Sequence, residues 1–310
     1  MARKQQGNAG QPASGSRRAQ RQEEARRRGE RQRQQRRLLY GGIAIVALIA
    51  VGLIAWQATS GGEASAGELY RFNTQDFHSL AFDPGDPNTI YFGHHDGLMV
   101  SHDGGHSWEN ATLSGADAMA LAIPSSDASR RYVAGHNVFL VSSDGGQTWS
   151  PQANNLPDLD IHSFAAAPSD PLRLYAFTVG SGLLFTSDDG GSNWEALVPP
   201  EGVEAGRLPV SVTADDPLHL YGAAGSQLAD GPGSTILAVA VAPDDDSTIF
   251  AGTETGLWKR EADGQWTKLP AADGQAILAI AISPSDPNQI ALVDANGGFY
   301  RADAMGQIVR

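Results

Sequence analysis

The sequence predicts an all-β protein, a β-propeller of four-stranded blades that follows a basic tail and one transmembrane helix. Three observations lead to this prediction. A unit of about 40 residues recurs from residue 68 to the end of the chain. Each unit contains short β-rich runs separated by turn residues, as a propeller blade requires. A basic stretch and an uncharged apolar run precede the first unit.

Residues 1–37 form the basic tail. Twelve of the 22 Lys and Arg residues and three of the 35 acidic residues lie there, which gives the tail a charge of +9 and leaves −22 for the remainder. The tail has too few apolar side chains to bury a core, so we expect it to be disordered and cytoplasmic. The acidic remainder should repel nucleic acid, and no nucleic-acid partner is expected at the propeller.

The apolar run covers residues 38–56 and contains no charged residue. A helix of that length spans about 28 Å, the thickness of the hydrocarbon layer of a membrane. The positive charges before it predict an uncleaved single-pass anchor, with the N-terminus in the cytoplasm and the propeller on the extracytoplasmic side of the cell membrane. Residues 57–67 are then a linker. The alternative is a signal peptide cleaved after the small residues Ala64-Ser65-Ala66.

Residues 68–310 hold six repeats, so the chain is expected to form six blades, within a possible range of five to seven. Only about 29 residues separate the starts of the fourth and fifth repeats, which predicts a truncated fourth blade. The strand-like segment 68–72 is expected to close the ring as the outer strand of the last blade. The repeats begin at His78, Ala118, His162, Leu208, Leu237 and Leu278.

The first three repeats each end in a turn of the pattern S-x-D-x-G-x-[S/T/N]-W. Its Asp and Gly suit a tight turn, so a structural role is expected for these residues. They are Ser101, Asp103, Gly105, Trp108, Ser142, Asp144, Gly146, Trp149, Ser187, Asp189, Gly191 and Trp194. These turns resemble the Asp boxes (BNR repeats) of sialidase-like, sortilin-type and bacterial glycosylhydrolase-like propellers. The resemblance covers residues 68–310 and implies the propeller fold.

Candidate ligand-binding residues lie where first strands begin and second strands end, because antiparallel order brings these points to one mouth of the central channel. The string Asp-x-His-Ser occurs there in repeats 1 and 3. The candidates are Asp76, His78, His95, His136, Asp160, His162 and Glu254. Imidazoles with carboxylates suit zinc, copper or nickel, so His78, His95, His136 and His162 are candidate ligands of a divalent metal. No other cofactor is expected, and the absence of cysteine excludes thiolate sites.

The sequence favours a binding protein over an enzyme, with a protein or glycan ligand at the channel mouth. One alternative is a glycoside hydrolase of the sialidase-like propeller group. It would not be a true sialidase, because the resemblance implies three substrate-binding arginines, and the eight Arg residues after the linker do not supply them at the expected mouth. A further alternative is an assembly or stability factor, as in the photosystem II assembly propellers that share these repeats.

Overall fold

The computed structural model describes residues 67–74, 76–197, 211–212, 220–221 and 232–310, all within one compact unit, Gly62–Arg310. The basic tail, the predicted transmembrane segment 38–56 and the linker up to residue 66 lie outside the described residues. Within the described ranges the chain forms strands and turns, and none of it is a helix able to cross a membrane.

The strands β1–β22 form five four-stranded antiparallel sheets, the blades, and one two-stranded sheet. We number each blade after its repeat. The strands of blade 1 are β2 (Ser79–Asp83), β3 (Asp86–His94), β4 (Gly97–Ser101) and β5 (Glu109–Ser114). Those of blade 2 are β6 (Ala120–Ala122), β7 (Arg131–Gly135), β8 (Val138–Ser142) and β9 (Ser150–Pro151). Those of blade 3 are β10 (Ile161–Ala166), β11 (Leu174–Thr178), β12 (Leu183–Ser187) and β13 (Glu195–Leu197).

The remaining strands continue the ring. The fourth repeat contributes β14 (Ser211–Val212) and β15 (Leu220–Tyr221). Blade 5 consists of β16 (Ile236–Ala242), β17 (Asp245–Thr253), β18 (Gly256–Arg260) and β19 (Trp266–Lys268). Blade 6 consists of β20 (Ile277–Ile282), β21 (Ile290–Asp294), β22 (Gly298–Ala302) and β1 (Tyr70–Arg71).

The expected count of six blades is wrong for the described residues, in which five four-stranded blades are present. Among the described residues, the fourth repeat supplies the pair β14–β15, and β14 lies between the first strands of blades 3 and 5. The reason is visible in the sequence. The fourth repeat is the shortest, and it lacks the Asp-box turn and tryptophan that close the outer half of blades 1–3.

The first residues of the propeller close the ring, as the sequence predicted. Strand β1 pairs with β22 as the outer strand of blade 6, with Tyr70 opposite Phe299. The first strand of each of these five blades lines the central channel, and β16 and β20 alternate alanine with larger apolar residues. The second strands β7, β11 and β21 are buried along their whole length, because blades pack against both of their faces.

Each Asp box is a hydrogen-bonded clamp on its own turn. In blade 2, the Ser142 hydroxyl donates to Asp144 Oδ1 at 2.8 Å and accepts the N–H of Gly146 at 2.8 Å. Asp144 also accepts the backbone N–H of Thr148 at 2.9 Å and its hydroxyl at 2.6 Å. The indole N–H of Trp149 donates to the Gly146 carbonyl. Equivalent bonds occur in the boxes of blades 1 and 3.

The second glycine of the box lets the turn lie flat on an aromatic ring of the preceding blade. Gly191 has φ of +90°, and a Cβ there would lie 2.4 Å from Phe139 of blade 2. Gly105 meets Phe299 of blade 6 in the same way. Only glycine fits both the positive φ and this close approach. The boxes of blades 1 and 3 are therefore parts of the blade interfaces, and the Thr112 hydroxyl of blade 1 donates to the Gly146 carbonyl in the box of blade 2.

Replacing Ser142 by alanine is expected to lower the free energy of unfolding by about 1–3 kcal/mol, because it leaves the Gly146 N–H without its acceptor. Ser142 is almost fully buried. Urea denaturation of the full chain measures the loss. The matched control is Ser150→Ala on exposed β9, with an expected change of about 0.5 kcal/mol or less. Equal losses of unfolding free energy in the two variants would show that the hydrogen bonds of Ser142 do not stabilise the turn.

Candidate functional site

The backbone of blades 1–3 brings three aspartates and two histidines to one end of the channel. Asp76, Asp117 and Asp160 each precede a first strand, and His95 and His136 each follow a second strand. Hydrogen bonds between blades fix these segments. The N–H of Ala118 donates to the His94 carbonyl at 3.1 Å, and His136 forms a backbone bridge with Asp160.

His78 and His162 also belong to this group, and Asp117 lies at its centre. We call the seven residues the His/Asp cluster: Asp76, His78, His95, Asp117, His136, Asp160 and His162. Oδ1 of Asp117 lies 2.8 Å from Nδ1 of His95, and its Oδ2 lies 2.5 Å from Nδ1 of His136. Oδ2 also accepts the backbone N–H of His136 at 3.3 Å. The side chain of Asp117 is only 12% exposed, whereas those of His95 and His136 are 43% and 44% exposed. One partly buried carboxylate thus orients two exposed imidazoles.

On the blade 3 side, three atoms face one another closely. Nε2 of His136 lies 3.0 Å from Nε2 of His162, and Nε2 of His162 lies 3.1 Å from Asp160 Oδ1. The third separation, from His136 Nε2 to the same Asp160 oxygen, is 3.6 Å. These contacts join blades 2 and 3.

On the blade 1 side, the arrangement is looser. His95 Nε2 lies 3.5 Å from Asp76 Oδ2, and His78 Nε2 lies 3.9 Å from Asp117 Oδ1. The rings of His78 and His95 meet edge to face at 4.7 Å. The Nε2 atom of His78 is buried and has no hydrogen-bond partner among the described residues.

The cluster lies at one end of a channel cavity of about 460 Å³. His78 and His162 belong to the lining of the cavity, which is otherwise mostly apolar and comes from the first strands of all five blades; it includes Leu80, Leu121, Phe164, Leu237 and Ile280. Ligand cavities in proteins typically have about 300–1,000 Å³ and apolar walls with a few polar groups. The geometry therefore suits a ligand with both polar and apolar parts.

The environment sets the protonation of the cluster. Burial alone would raise the pKa of Asp117, but the hydrogen bonds from His95 and His136 hold its pKa below the ordinary value. Asp117 is therefore an ionised acceptor at neutral pH, and each of the two histidines donates from Nδ1. In the neutral imidazoles of His95 and His136, the lone pair is then on Nε2. Burial lowers the pKa of His78 to about 4 and also lowers the pKa of His162.

Acid is expected to destabilise the propeller through His78. Its pKa is about 6.5 in the unfolded chain and about 4 in the folded chain, so the unfolded chain binds the proton more strongly. Stability is therefore greatest above pH 6.5 and falls between pH 6.5 and 4, by up to about 3 kcal/mol. The neighbouring charges are those of Asp117, Asp76, His95 and His136.

Thermal unfolding of the full chain at several pH values measures this effect. The control is His78→Met, because Met119 occupies the equivalent position of repeat 2. In this variant, the melting temperature should fall much less between pH 6.5 and pH 4 than it does in the wild-type chain. An unchanged fall would show that His78 does not cause the acid sensitivity.

The structure brings together six of the seven residues singled out from the sequence: Asp76, His78, His95, His136, Asp160 and His162. The seventh, Glu254, is exposed at the end of β17 and is absent from the groups of metal-binding geometry in the described ranges. Sequence reasoning missed Asp117. The signal was present, because Asp117 has the same repeat position as Asp76 and Asp160, but Met119 replaces the histidine that follows them.

Arginines contribute to blade contacts rather than to the cluster. Arg131 is buried and pairs with Asp83 of blade 1 at 3.0 Å. Arg301 is also buried, lies against the Asp box of blade 1 and stacks over Phe82. Both buried arginines therefore support contacts between neighbouring blades.

Comparisons with known proteins agree on the fold. A family model described as photosynthesis system II assembly factor YCF48 matches residues 68–207. The GH74 xyloglucanase of Xanthomonas campestris has a similar structure, with 16% identity and a TM-score of 0.51 over 78% of this chain. The match covers 46% of the xyloglucanase, so this chain spans less than half of that enzyme.

Two further solved structures are similar. A structure of YCF48 bound to a D1 peptide shares 18% identity, with a TM-score of 0.48 over 77% of this chain and 82% of that one. YCF48 of Cyanidioschyzon merolae shares 19% identity, with a TM-score of 0.47 over 77% of this chain and 86% of that one. No curated protein sequence matches the chain significantly.

Proposed function

Because the chain is an Asp-box (BNR) β-propeller, we propose that it is a non-catalytic binding protein of the assembly-factor type, which holds a segment of a partner protein at the His/Asp cluster. The observation that carries the proposal is the position of the cluster. Exposed imidazoles and carboxylates lie at one end of a channel cavity that is lined mostly by apolar side chains. A polypeptide segment bound there would contact the polar cluster and the apolar wall together.

The match to the assembly-factor family supports a protein partner rather than a glycan. Residues 68–207 span blades 1–3, and all seven residues of the cluster lie within that range. The shared part of the chain is therefore the part that builds the site. The family model describes an assembly factor of photosystem II, and we define the partner of this chain by its chemistry.

Charge defines that chemistry further. The chain after the basic tail carries a charge of −22, and three of its carboxylates belong to the cluster at the channel mouth. Opposite charge speeds the encounter of partners and fixes their orientation. We therefore infer that the bound segment carries a basic side chain for the rim and apolar side chains for the cavity.

Glycoside hydrolysis has less support. A general acid in such an enzyme needs a raised pKa, whereas the hydrogen bonds of Asp117 lower its pKa. The likeness to the xyloglucanase extends to the fold only, and fold does not establish activity.

Selection of 12-residue peptides from a random library on the full chain, in the presence of EDTA, tests the proposal. Enriched peptides should combine basic and apolar residues, and Asp160→Asn and Asp76→Asn should weaken their binding at least tenfold in fluorescence anisotropy. The control is His106→Gln, an exposed histidine of the blade 1 Asp box. Equal binding by all three variants, or hydrolysis of glycan substrates with no peptide binding, would overturn the proposal.

We also propose that residues 38–56 anchor the propeller to the cell membrane on its extracytoplasmic side. The support is the +9 tail followed by 19 uncharged residues. Protease added outside intact cells, or to spheroplasts where an outer membrane intervenes, should digest residues 68–310 and spare the tail. Protection of the propeller from protease would indicate the opposite orientation in the membrane. Release of the chain from the membrane without detergent would instead indicate a cleaved signal peptide.

A further inference from the structure

Three atoms on the blade 3 side of the cluster have the spacing of a metal site. Nε2 of His136, Nε2 of His162 and Oδ1 of Asp160 are separated by 3.0, 3.1 and 3.6 Å. Ligand atoms of a tetrahedral ion with bonds of about 2.0–2.1 Å are about 3.3–3.4 Å apart. Each separation is therefore within about 0.4 Å of the edge of such a tetrahedron.

The orientation of His136 also suits a metal ligand. Its Nδ1–H donates to Asp117 Oδ2, so the lone pair of the neutral ring is on Nε2, which faces Asp160 and His162. Metal-binding histidines usually donate their other ring N–H to a carboxylate, which fixes the ring and increases its basicity. Asp117 supplies this contact without being a ligand itself.

The short distance between the two Nε2 atoms needs a proton or a cation between them. Two lone pairs facing each other at 3.0 Å would repel, so in the metal-free chain Nε2 of His162 carries the proton that His136 and Asp160 share. A divalent ion would replace that proton and satisfy all three atoms together.

We propose that His136, Asp160 and His162 bind one divalent transition-metal ion of the zinc class. Two imidazoles and one carboxylate match zinc better than magnesium or calcium, which prefer oxygen ligands alone. Three protein ligands leave one tetrahedral position for water or for a side chain of a partner. This inference does not depend on the proposed partner, because zinc binding is measured without peptide and peptide selection is done with EDTA.

The other two groups of the cluster fit an ion less well. In the group of His95, Asp117 and His136, both Nδ1 atoms already donate to the carboxylate, and an ion would have to displace two protons. In the group of Asp76, His78 and His95, the contact from His95 Nε2 to Asp76 Oδ2 is 3.5 Å, which is longer than the 3.1 Å from His162 Nε2 to Asp160 Oδ1. The proposal is therefore specific to the blade 3 side.

Titration of the detergent-solubilised full chain with zinc chloride, followed by calorimetry, tests the site. One ion per chain should bind, and His136→Gln, Asp160→Asn and His162→Gln should each weaken binding at least tenfold. Binding by His106→Gln should equal that of the wild-type chain. Cobalt should give the intense visible absorption of a tetrahedral ion in the wild-type chain and lose it in these three variants.

Two outcomes would overturn the proposal. The first is zinc binding that none of the three substitutions weakens, which would place the ion elsewhere. The second is loss of binding in His95→Gln with normal binding in His136→Gln, which would place the ion on the blade 1 side. Thermal unfolding of each variant shows whether it is folded, and Asp160→Asn, an isosteric change of a partly exposed side chain, keeps the test valid if a histidine variant unfolds.

Discussion

Replacement of Phe72 by alanine is expected to lower the free energy of unfolding of the propeller by about 3–5 kcal/mol, the usual cost of truncating a buried phenylalanine. Phe72 is 4% exposed and follows the strand that closes the ring. Its ring stacks on Phe92 of blade 1 at 3.9 Å and meets Trp108 edge to face at 4.9 Å. The change would open a cavity where blades 1 and 6 meet.

Urea denaturation of the full chain, followed by tryptophan fluorescence, measures this loss, and Trp108 reports directly on the site. The matched control is Asn73→Ala, one residue after Phe72. Asn73 is exposed, so its replacement should change the free energy of unfolding by about 0.5 kcal/mol or less. A loss below about 1 kcal/mol for Phe72→Ala would mean that β1 does not close the ring.

Asparagine in place of Asp117 is expected to weaken zinc binding by about 10–100-fold, the usual effect of losing the carboxylate that orients a metal-binding histidine. Asparagine has one acceptor oxygen, whereas Asp117 accepts from both His95 and His136. Its NH₂ group would face one of the two Nδ1–H groups, and one imidazole would have to turn or change its tautomer.

Nitrogen NMR of the histidine rings separates this effect from a general loss of structure. In the metal-free wild-type chain, His95 and His136 should both be protonated on Nδ1, and at least one should shift toward the Nε2–H tautomer in Asp117→Asn. Asp96→Asn, at the neighbouring turn of blade 1, is the control and should change neither tautomer nor affinity. If neither the tautomers nor the zinc affinity changed, Asp117 would not be the residue that orients the imidazoles of His95 and His136.

Local sequence patterns predicted the parts of the fold that local interactions determine. The Asp box is a turn whose bonds lie within eight residues, so Ser101, Asp103 and Trp108 could be assigned before any coordinates were known. The equivalence of repeats also predicted that strand starts and strand ends meet, because antiparallel pairing in each blade repeats the same geometry.

Two features depended on contacts between repeats and were not predicted. Asp117 belongs to the cluster because blade 2 lies between blades 1 and 3, and its carboxylate reaches His95 on one side and His136 on the other. The count of five four-stranded blades in the described ranges was also not predicted, because six repeats are visible in the sequence and the fourth contributes a two-stranded sheet there. Glu254 shares the ring position of His95, but its blade supplies no histidine or aspartate beside it.

The Asp-box carboxylates illustrate how a perturbed pKa can have a structural cause. Hydrogen bonds from Thr148 lower the pKa of Asp144 to about 2, and hydrogen bonds from Asn193 lower that of Asp189 to about 2. These groups lie in turns at the ends of third strands, and the shifts come from their own turns. In this fold, a shifted carboxylate at the periphery marks a clamp rather than a reactive group.

Hydrogen exchange of the full chain with and without a selected peptide tests whether the His/Asp cluster is the ligand site. Slower exchange is expected at residues 76–79, 117–119 and 160–163, where the first strands of blades 1–3 begin. Exchange at the Asp-box turns 101–108, 142–149 and 187–194 should not change. Protection confined to those turns, or to blades 5 and 6, would contradict a binding site at this mouth of the channel.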